Sequence, residues 1–146
     1  MRSPTANRAS IPRPIVWIVD AHRSDYGRLL ADVKSEQLEI HFLSSGRELL
    51  HCWFAGAPDV CIVNLQLPEL NGFDVIEMIR PFPEGTTVCL LADEYVLEDE
   101  IRALSLGVHS YFCKPLEASV FFKFCLCTKA NRDAAVRAVA SPSARL

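Results

Sequence analysis

The sequence predicts an α/β protein in which helices cover both faces of a doubly wound, five-stranded parallel sheet in the order 2-1-3-4-5. Two observations lead to this prediction. Short, wholly apolar runs alternate along the chain with segments of helical periodicity, which is the pattern of parallel strands joined by helical crossovers. The second and fifth strand candidates carry polar residues, which places them at the edges of the sheet.

The five strand candidates differ in polarity in the way this sheet order requires. The first, third and fourth are continuous apolar runs, as expected for strands that are covered on both faces. The second alternates apolar and polar residues, and the fifth is half polar. The candidates are Ile15 to Val19, Leu38 to Leu43, Val60 to Val63, Val88 to Leu91 and Val108 to Cys113.

Apolar residues at helical spacing fill the segments between the strands. Ser45 and Glu48 have the spacing of a capping box and predict the start of the second helix. A fifth helix is predicted from about Glu117 into the 130s. The residues expected to face the core are Tyr26, Leu29, Leu30 and Val33 in the first helix, Leu49, Leu50, Trp53 and Phe54 in the second, Phe73, Val75, Ile76 and Ile79 in the third, and Ile101 and Leu104 in the fourth.

The length of 146 residues predicts one domain with tails at both ends. Residues 1–14 are rich in proline and poor in large apolar residues, so we expect a flexible N-terminal tail. Residues 15–128 form the predicted domain. Residues 129–146 are rich in alanine and basic, and we expect a helical extension followed by a flexible C-terminal tail.

Composition favours protein partners in a reducing compartment. The net charge of −3 offers no basic field for a phosphate backbone, so direct nucleic-acid binding is not expected. No apolar stretch is long enough to cross a bilayer, and we expect a cytoplasmic protein without membrane contact. Three of the six cysteines fall in apolar strand candidates and none forms a Cys-x-x-Cys pair, which indicates reduced thiols rather than a metal site.

Polar residues collect where the predicted strands end. Asp20 follows the first strand, Asn64 the third and Lys114 the fifth, while Ala92 ends the fourth. In a sheet of this order the functional crevice lies at the carboxyl ends of the strands, near the switch point between strands one and three. We therefore expect these four positions to meet in one pocket, with Ala21 beside Asp20.

Four segments in this order resemble the receiver domain of two-component response regulators, a CheY-like member of the flavodoxin-like (βα)5 folds. They are Val19-Asp20-Ala21, the run from Asn64 to Gly72, Leu91-Ala92-Asp93 and the run from Tyr111 to Pro115. The resemblance covers about residues 15–127 and implies a role in phosphorelay signal transduction. In this family two acids after strand one and an acceptor aspartate on strand three hold magnesium, while a hydroxyl after strand four and a lysine after strand five contact the phosphoryl group.

Carried over by position, the resemblance implies a degenerate phosphoacceptor pocket. Asp20 and Lys114 are retained, but the second acid is Ala21, the acceptor is Asn64 and the hydroxyl is Ala92. An amide cannot form an acyl phosphate. One carboxylate and one ammonium group balance in charge, so we expect no magnesium, no cofactor and no enzymatic activity. We also expect Lys114 to donate hydrogen bonds to Asp20 and to the side-chain oxygen of Asn64.

The resemblance places output on the face formed by the fourth helix, fifth strand and fifth helix. Tyr111 occupies the position of the switch aromatic, and Ala92 leaves room beneath it for an inward rotamer; an ordinary edge-strand tyrosine is the alternative. Phe121, Phe122 and Phe124 give the fifth helix more apolar surface than one core-facing stripe needs. We therefore expect a homodimer or protein-partner interface there, unless the C-terminal extension covers these rings.

The leading hypothesis is an atypical receiver, or pseudo-receiver, that acts by phosphorylation-independent protein–protein interaction. Two alternatives stay open within the same fold: a phosphorylatable receiver with another acceptor such as Asp20 or Asp93, and a small-molecule sensor that uses the crevice. A flavin mononucleotide site is disfavoured, because Asp20 and Asp25 bracket the loop in which the flavin phosphate would lie.

Overall fold

The computed structural model describes residues 13–33 and 37–128. Its five parallel strands form one sheet in the order β2-β1-β3-β4-β5, so the predicted fold class, strand order and edge positions are confirmed. The strands are β1 (Ile15–Val19), β2 (Glu39–Leu43), β3 (Val60–Asn64), β4 (Thr87–Ala92) and β5 (Ser110–Cys113).

Helices alternate with the strands. A 3-10 turn, Arg23–Tyr26, precedes α1 (Gly27–Asp32), and α2 (Gly46–Trp53), α3 (Gly72–Ile79) and α4 (Leu97–Ser105) follow. The last described helix, α5, spans residues 118–128.

The predicted capping box at the start of α2 is present. The hydroxyl oxygen of Ser45 accepts a hydrogen bond from the Glu48 backbone N–H at 3.1 Å. The Glu48 carboxylate in turn accepts from the Ser44 backbone N–H at 2.7 Å. These bonds satisfy backbone donors at the helix start that have no partner within the helix.

Two apolar layers enclose the sheet, and β3 is buried along its whole length. One layer packs α2, α3 and α4 on one face, and the other packs α1 and α5 on the opposite face. Cys61, Cys89 and Cys125 are buried free thiols within these layers. Burial of this kind raises the pKa of the Cys125 thiol to about 12. These three cysteines are therefore part of the core.

Three predicted core residues lie at the surface instead. Phe54 is 76% exposed, Ile101 59% and Leu104 51%. Phe54 follows the last residue of α2 and lies outside the stripe of Gly46, Leu49 and Trp53 that the helix buries. The fourth helix packs on the core through Ala103, which is fully buried, so its longer apolar side chains face outward. The prediction for these residues is wrong, because periodicity identified an apolar stripe but not the side that the sheet covers.

A glycine brings the start of α3 close to the end of β3. A Cβ atom at Gly72 would lie 2.7 Å from the carbonyl oxygen of Asn64 and 2.9 Å from the Cα of Leu65. The Gly72 backbone N–H donates to the Leu65 carbonyl oxygen at 3.0 Å. Only a residue without a side chain permits this approach, which fixes the loop around Asn64.

Both predicted tails lie outside the described residues, apart from residues 13 and 14 at the end of the N-terminal tail. Among the helices of ranges 13–33 and 37–128, none has the length and apolar character needed to cross a membrane.

Candidate functional site

Two buried polar side chains mark the carboxyl edge of the sheet. Asp20, directly after β1, is 2% exposed, and Asn64, the last residue of β3, is 1% exposed. Buried polar groups of this kind are costly unless they are hydrogen-bonded. Their partners therefore define what the site can do.

Lys114 supplies the cation of this site from the segment after β5. Its ammonium nitrogen lies 2.8 Å from Asp20 Oδ2, 2.8 Å from Asp25 Oδ2 and 3.1 Å from Asp93 Oδ1. Only 14% of its side chain is exposed. We call these four side chains the ion cluster. The expected Lys114 to Asp20 contact is present, whereas the Lys114 partners beyond Asp20 are carboxylates and not the expected Asn64 oxygen.

The Asp20 carboxylate is saturated with donors. Besides Lys114, its Oδ2 accepts from the Tyr26 hydroxyl at 2.5 Å and from Asn64 Nδ2 at 3.1 Å. Its Oδ1 accepts from the His22 backbone N–H at 2.8 Å. A carboxylate with its lone pairs engaged in this way has little capacity left for another ligand.

The Asn64 amide is fixed at both ends. Its oxygen accepts from the Gln66 backbone N–H at 2.5 Å, which corrects the expectation that it faces Lys114. Its nitrogen donates to Asp20 and, at 3.1 Å, to Asp93 Oδ1. An aspartate would offer these two carboxylates a like charge, so the amide nitrogen suits this position electrostatically.

The pKa shifts follow from these contacts. Burial of the Lys114 ammonium works to lower its pKa, but hydrogen bonds to Asp20, Asp25 and Asp93 outweigh it and hold the pKa above the usual value. A hydrogen bond from Asn64 lowers the pKa of Asp93. Burial, followed by the hydrogen bond to Asp20, raises the pKa of the Tyr26 hydroxyl. Lys114 is therefore charged and Tyr26 is neutral at physiological pH.

Sequence reasoning missed two carboxylates of the ion cluster and the Tyr26 hydroxyl that donates to Asp20. Asp25 and Tyr26 lie on the 3-10 turn that leaves the same edge of the sheet as Asp20. Their position shortly after β1 is the feature of the sequence that could have indicated a contact with the site. Asp93 directly follows Ala92 at the end of β4, and the sequence pattern predicts no contact between it and Lys114. Three carboxylates thus face one ammonium group, and the expected neutral balance of Asp20 and Lys114 is wrong.

The residues at this edge do not fit the magnesium ion that the resemblance implies. The Lys114 ammonium already lies between the carboxylates that a dication would need, and Ala21 supplies no oxygen ligand. Within the described part of the chain, no group of three or more His, Cys, Asp or Glu side chains is arranged to hold a metal. Magnesium needs several oxygen ligands in near-octahedral geometry and gives up water reluctantly.

Tyr111 on β5 is turned into the protein. Its hydroxyl oxygen is buried, and its ring packs against the apolar layer that contains Ala92 and Ala103. The ring also meets Tyr95 edge to face, with centroids 6.1 Å apart. Burial raises the pKa of the Tyr111 hydroxyl. The hydroxyl thus lies inward, while the residue as a whole is half-buried at the edge of the sheet.

The fifth helix buries one of the three phenylalanines predicted for the interface. Phe121 is 2% exposed and belongs to the core layer with Cys125, so it cannot contact a partner. Phe122 and Phe124 are partly buried against the same layer, and Phe124 stacks edge to face on Phe112 at 5.1 Å between centroids. The helix is apolar on several sides because the core needs its rings, which corrects the interface prediction for Phe121.

A groove of about 670 Å³ opens elsewhere, between the end of α1 and the start of α5. Its lining includes Arg28, Asp32, Pro115, Leu116 and Phe122, and none of the ion-cluster residues. The small-molecule alternative, which placed a ligand in the crevice itself, gains no support from this groove.

A sequence model of the response regulator receiver domain matches residues 16–124. The transcriptional regulatory protein CusR of Escherichia coli K12 is 29% identical over 76 residues, which is 52% of this chain and 34% of CusR. The regulatory protein AtoC of the same strain is 29% identical over 102 residues, 70% of this chain and 22% of AtoC. The chain thus spans about a third or less of these curated relatives.

Solved structures share the fold. A CheY-like receiver domain protein of Methanospirillum hungatei superposes with a TM-score of 0.74 at 15% identity, covering 85% of this chain and 99% of that one. The chemotaxis response regulator CheY4 of Vibrio cholerae gives a TM-score of 0.69 at 20% identity, covering 80% and 99% of the two chains. At these identities the likeness concerns architecture alone.

Proposed function

Since this chain belongs to the response regulator receiver domain family, we propose that it is an atypical receiver that transmits its signal by protein contact, without phosphorylation of the position held by Asn64. Its setting is two-component signal transduction, which is the role of the family. It acts as a binding module and not as an enzyme.

One observation carries this proposal: the pocket is closed by its own side chains. The Lys114 ammonium bridges three carboxylates, and the Asn64 amide joins two of them. The position that would accept a phosphoryl group holds an amide whose oxygen is engaged by the Gln66 backbone N–H. The acceptor position therefore offers no nucleophilic carboxylate, and the Lys114 ammonium already lies between the carboxylates that a cation would need.

The same contacts hold one conformation without a bound group. In the family, phosphorylation draws a strand-four hydroxyl inward and the strand-five aromatic follows it. Here Ala92 has no hydroxyl, and the Tyr111 hydroxyl is already buried. We propose that the switch rests permanently in this inward arrangement, and that the face of α4, β5 and α5 binds its partner in all conditions.

The test is incubation of the full chain with acetyl phosphate and magnesium, followed by intact mass measurement. A receiver domain with an aspartate acceptor serves as the positive control. We expect the control to gain one phosphoryl group and this chain to gain none. A phosphorylated product would overturn the proposal.

Phosphorylation of another acceptor is the second candidate, because the Asp93 carboxylate is 47% exposed at the pocket. Its Oδ1, however, accepts from both Asn64 and Lys114, which engages one of its two oxygens. If a phosphorylated product formed, peptide mapping would show whether it lies on Asp93, and Asp93→Asn would abolish it.

A further inference from the structure

The outer face of α4 carries an apolar stripe that is about half exposed to solvent. Leu97, Ile101 and Leu104 follow the i, i+4, i+7 spacing of one helix face, and they are 54%, 59% and 51% exposed. Tyr95 and Val96, just before the helix, are 55% and 42% exposed and extend the stripe. A contiguous set of large apolar side chains is typical of an interaction surface. We call these five residues the α4 stripe.

Acidic residues border the α4 stripe at the start of the helix. Glu94 and Glu98 are exposed and Asp99 and Glu100 are partly exposed, all at or near the start of the helix. The basic residue of α4, Arg102, places its guanidinium 4.2 Å above the Phe73 ring, and so directs its charge toward α3. The surface at the N-terminal end of the stripe is therefore anionic.

The α4 stripe is connected to the interior through Tyr95. Its ring packs edge to face on Tyr111, whose hydroxyl is buried beside the layer that contains Ala92. The Tyr95 hydroxyl donates to Glu100 at 2.5 Å, which fixes the ring at the edge of the stripe. The inward Tyr111 thus supports the surface from below.

We infer that the α4 stripe binds a basic amphipathic segment of another protein, with large apolar side chains flanked by Lys or Arg. This inference rests on the proposed function and names the chemistry of its partner. Apolar side chains would cover Leu97, Ile101 and Leu104, while cations would meet the acidic border. A second copy of this chain fits less well, because its own α4 stripe is flanked by the same acids, which do not complement the acidic border in charge.

The test uses the full chain and two designed helical peptides with a fluorescent label. One peptide has Leu on one face of the helix and Lys on the other face, and the second peptide has Glu in place of each Lys. We expect the Leu-Lys peptide to bind, and the Leu-Glu peptide to bind at least about tenfold more weakly, since opposite charges meet in the first case only. Fluorescence anisotropy measures both affinities.

Variants decide whether binding occurs at the α4 stripe. Burying two half-exposed aliphatic side chains accounts for about tenfold or more in affinity, so Ile101→Ser with Leu104→Ser should weaken the Leu-Lys peptide by at least that factor. The matched control is Phe54→Ser, which changes a 76% exposed side chain after α2 and should leave binding unchanged. Reversing Glu98 to Lys should weaken binding severalfold. Circular dichroism verifies that each variant is folded.

Several outcomes would overturn the inference. If the two peptides bound equally, charge complementarity would have no part in binding. If the Ile101→Ser, Leu104→Ser variant bound the Leu-Lys peptide as well as Phe54→Ser does, binding would not occur at the α4 stripe. A dimer in analytical ultracentrifugation that Ile101→Ser dissociates would identify a second copy as the occupant. Binding that appears only after removal of residues 129–146 would identify that segment as the occupant. None of these results depends on phosphorylation, so they are distinguishable from failure of the proposed function.

Discussion

Replacing Lys114 by methionine removes the ammonium from the ion cluster while keeping an unbranched apolar stem. Removing one partner of a buried ion pair costs about 3–5 kcal/mol, because it leaves the other charge uncompensated. Asp20 is that charge, since its side chain is fully buried. It keeps the donors of Tyr26, Asn64 and His22, which places the loss at the lower end, about 3 kcal/mol.

The other two carboxylates of the ion cluster add little to this figure. Asp25 and Asp93 are each 47% exposed, and solvent-screened pairs contribute about 0–1 kcal/mol. Without the ammonium, however, three carboxylates converge with no internal cation. Magnesium should therefore raise the stability of the Lys114→Met variant in proportion to the logarithm of its concentration, and leave the wild type unchanged.

Urea denaturation followed by tryptophan fluorescence measures both effects. Trp17 and Trp53 lie in the apolar layer, with ring centroids 6.4 Å apart, and report its loss. The matched control is Lys123→Met on the exposed surface of α5, which should change the free energy of unfolding by less than about 0.5 kcal/mol. A loss for Lys114→Met no larger than that of Lys123→Met would refute the internal ion pair.

Three further predictions follow from the same contacts. Tyr26→Phe removes the hydroxyl donor to buried Asp20 and should cost about 1.5–3 kcal/mol in the free energy of unfolding, whereas no loss in urea denaturation would contradict the hydrogen bond. Phe121→Ala should cost about 3–5 kcal/mol, because the ring is buried; a stability unchanged within about 0.5 kcal/mol would instead favour a surface role. The pKa of Asp93 lies below its ordinary 3.8 in the folded chain, so its stabilising effect is present above that pH and is lost as the pH falls below it. Asp93→Asn should therefore reduce the acid dependence of stability in pH-dependent denaturation, and an unaltered dependence would show that this carboxylate has no part in it.

The architecture was predictable because local pattern and global fold agree. Strand β3 is buried from end to end and is an unbroken apolar run up to Asn64, while β2 alternates at the edge. Helix α4 shows the limit of this reasoning. The spacing of its large apolar residues specifies a stripe, but the residue that packs on the sheet is the small Ala103. Hydrophobic periodicity does not distinguish a buried alanine from an alanine at the surface.

The site was predictable in its main pair and not in its surroundings. Asp20 and Lys114 follow strands whose order brings their ends together, so their contact could be anticipated. The reach of Lys114 to Asp25 depends on the 3-10 turn after β1, and the phase of such a turn is not encoded in spacing alone. The direction of the Asn64 amide depends likewise on the Gln66 backbone N–H in the following loop.

The most direct measurement of the central claim is a titration of the isotope-labelled chain with magnesium and beryllofluoride, followed through its backbone amide chemical shifts. The closed pocket predicts that the amides of Asn64, Ala92 and Lys114 do not move at millimolar magnesium, with or without beryllofluoride. Saturable shifts centred on these residues and extending through Tyr111 to α4 would contradict it.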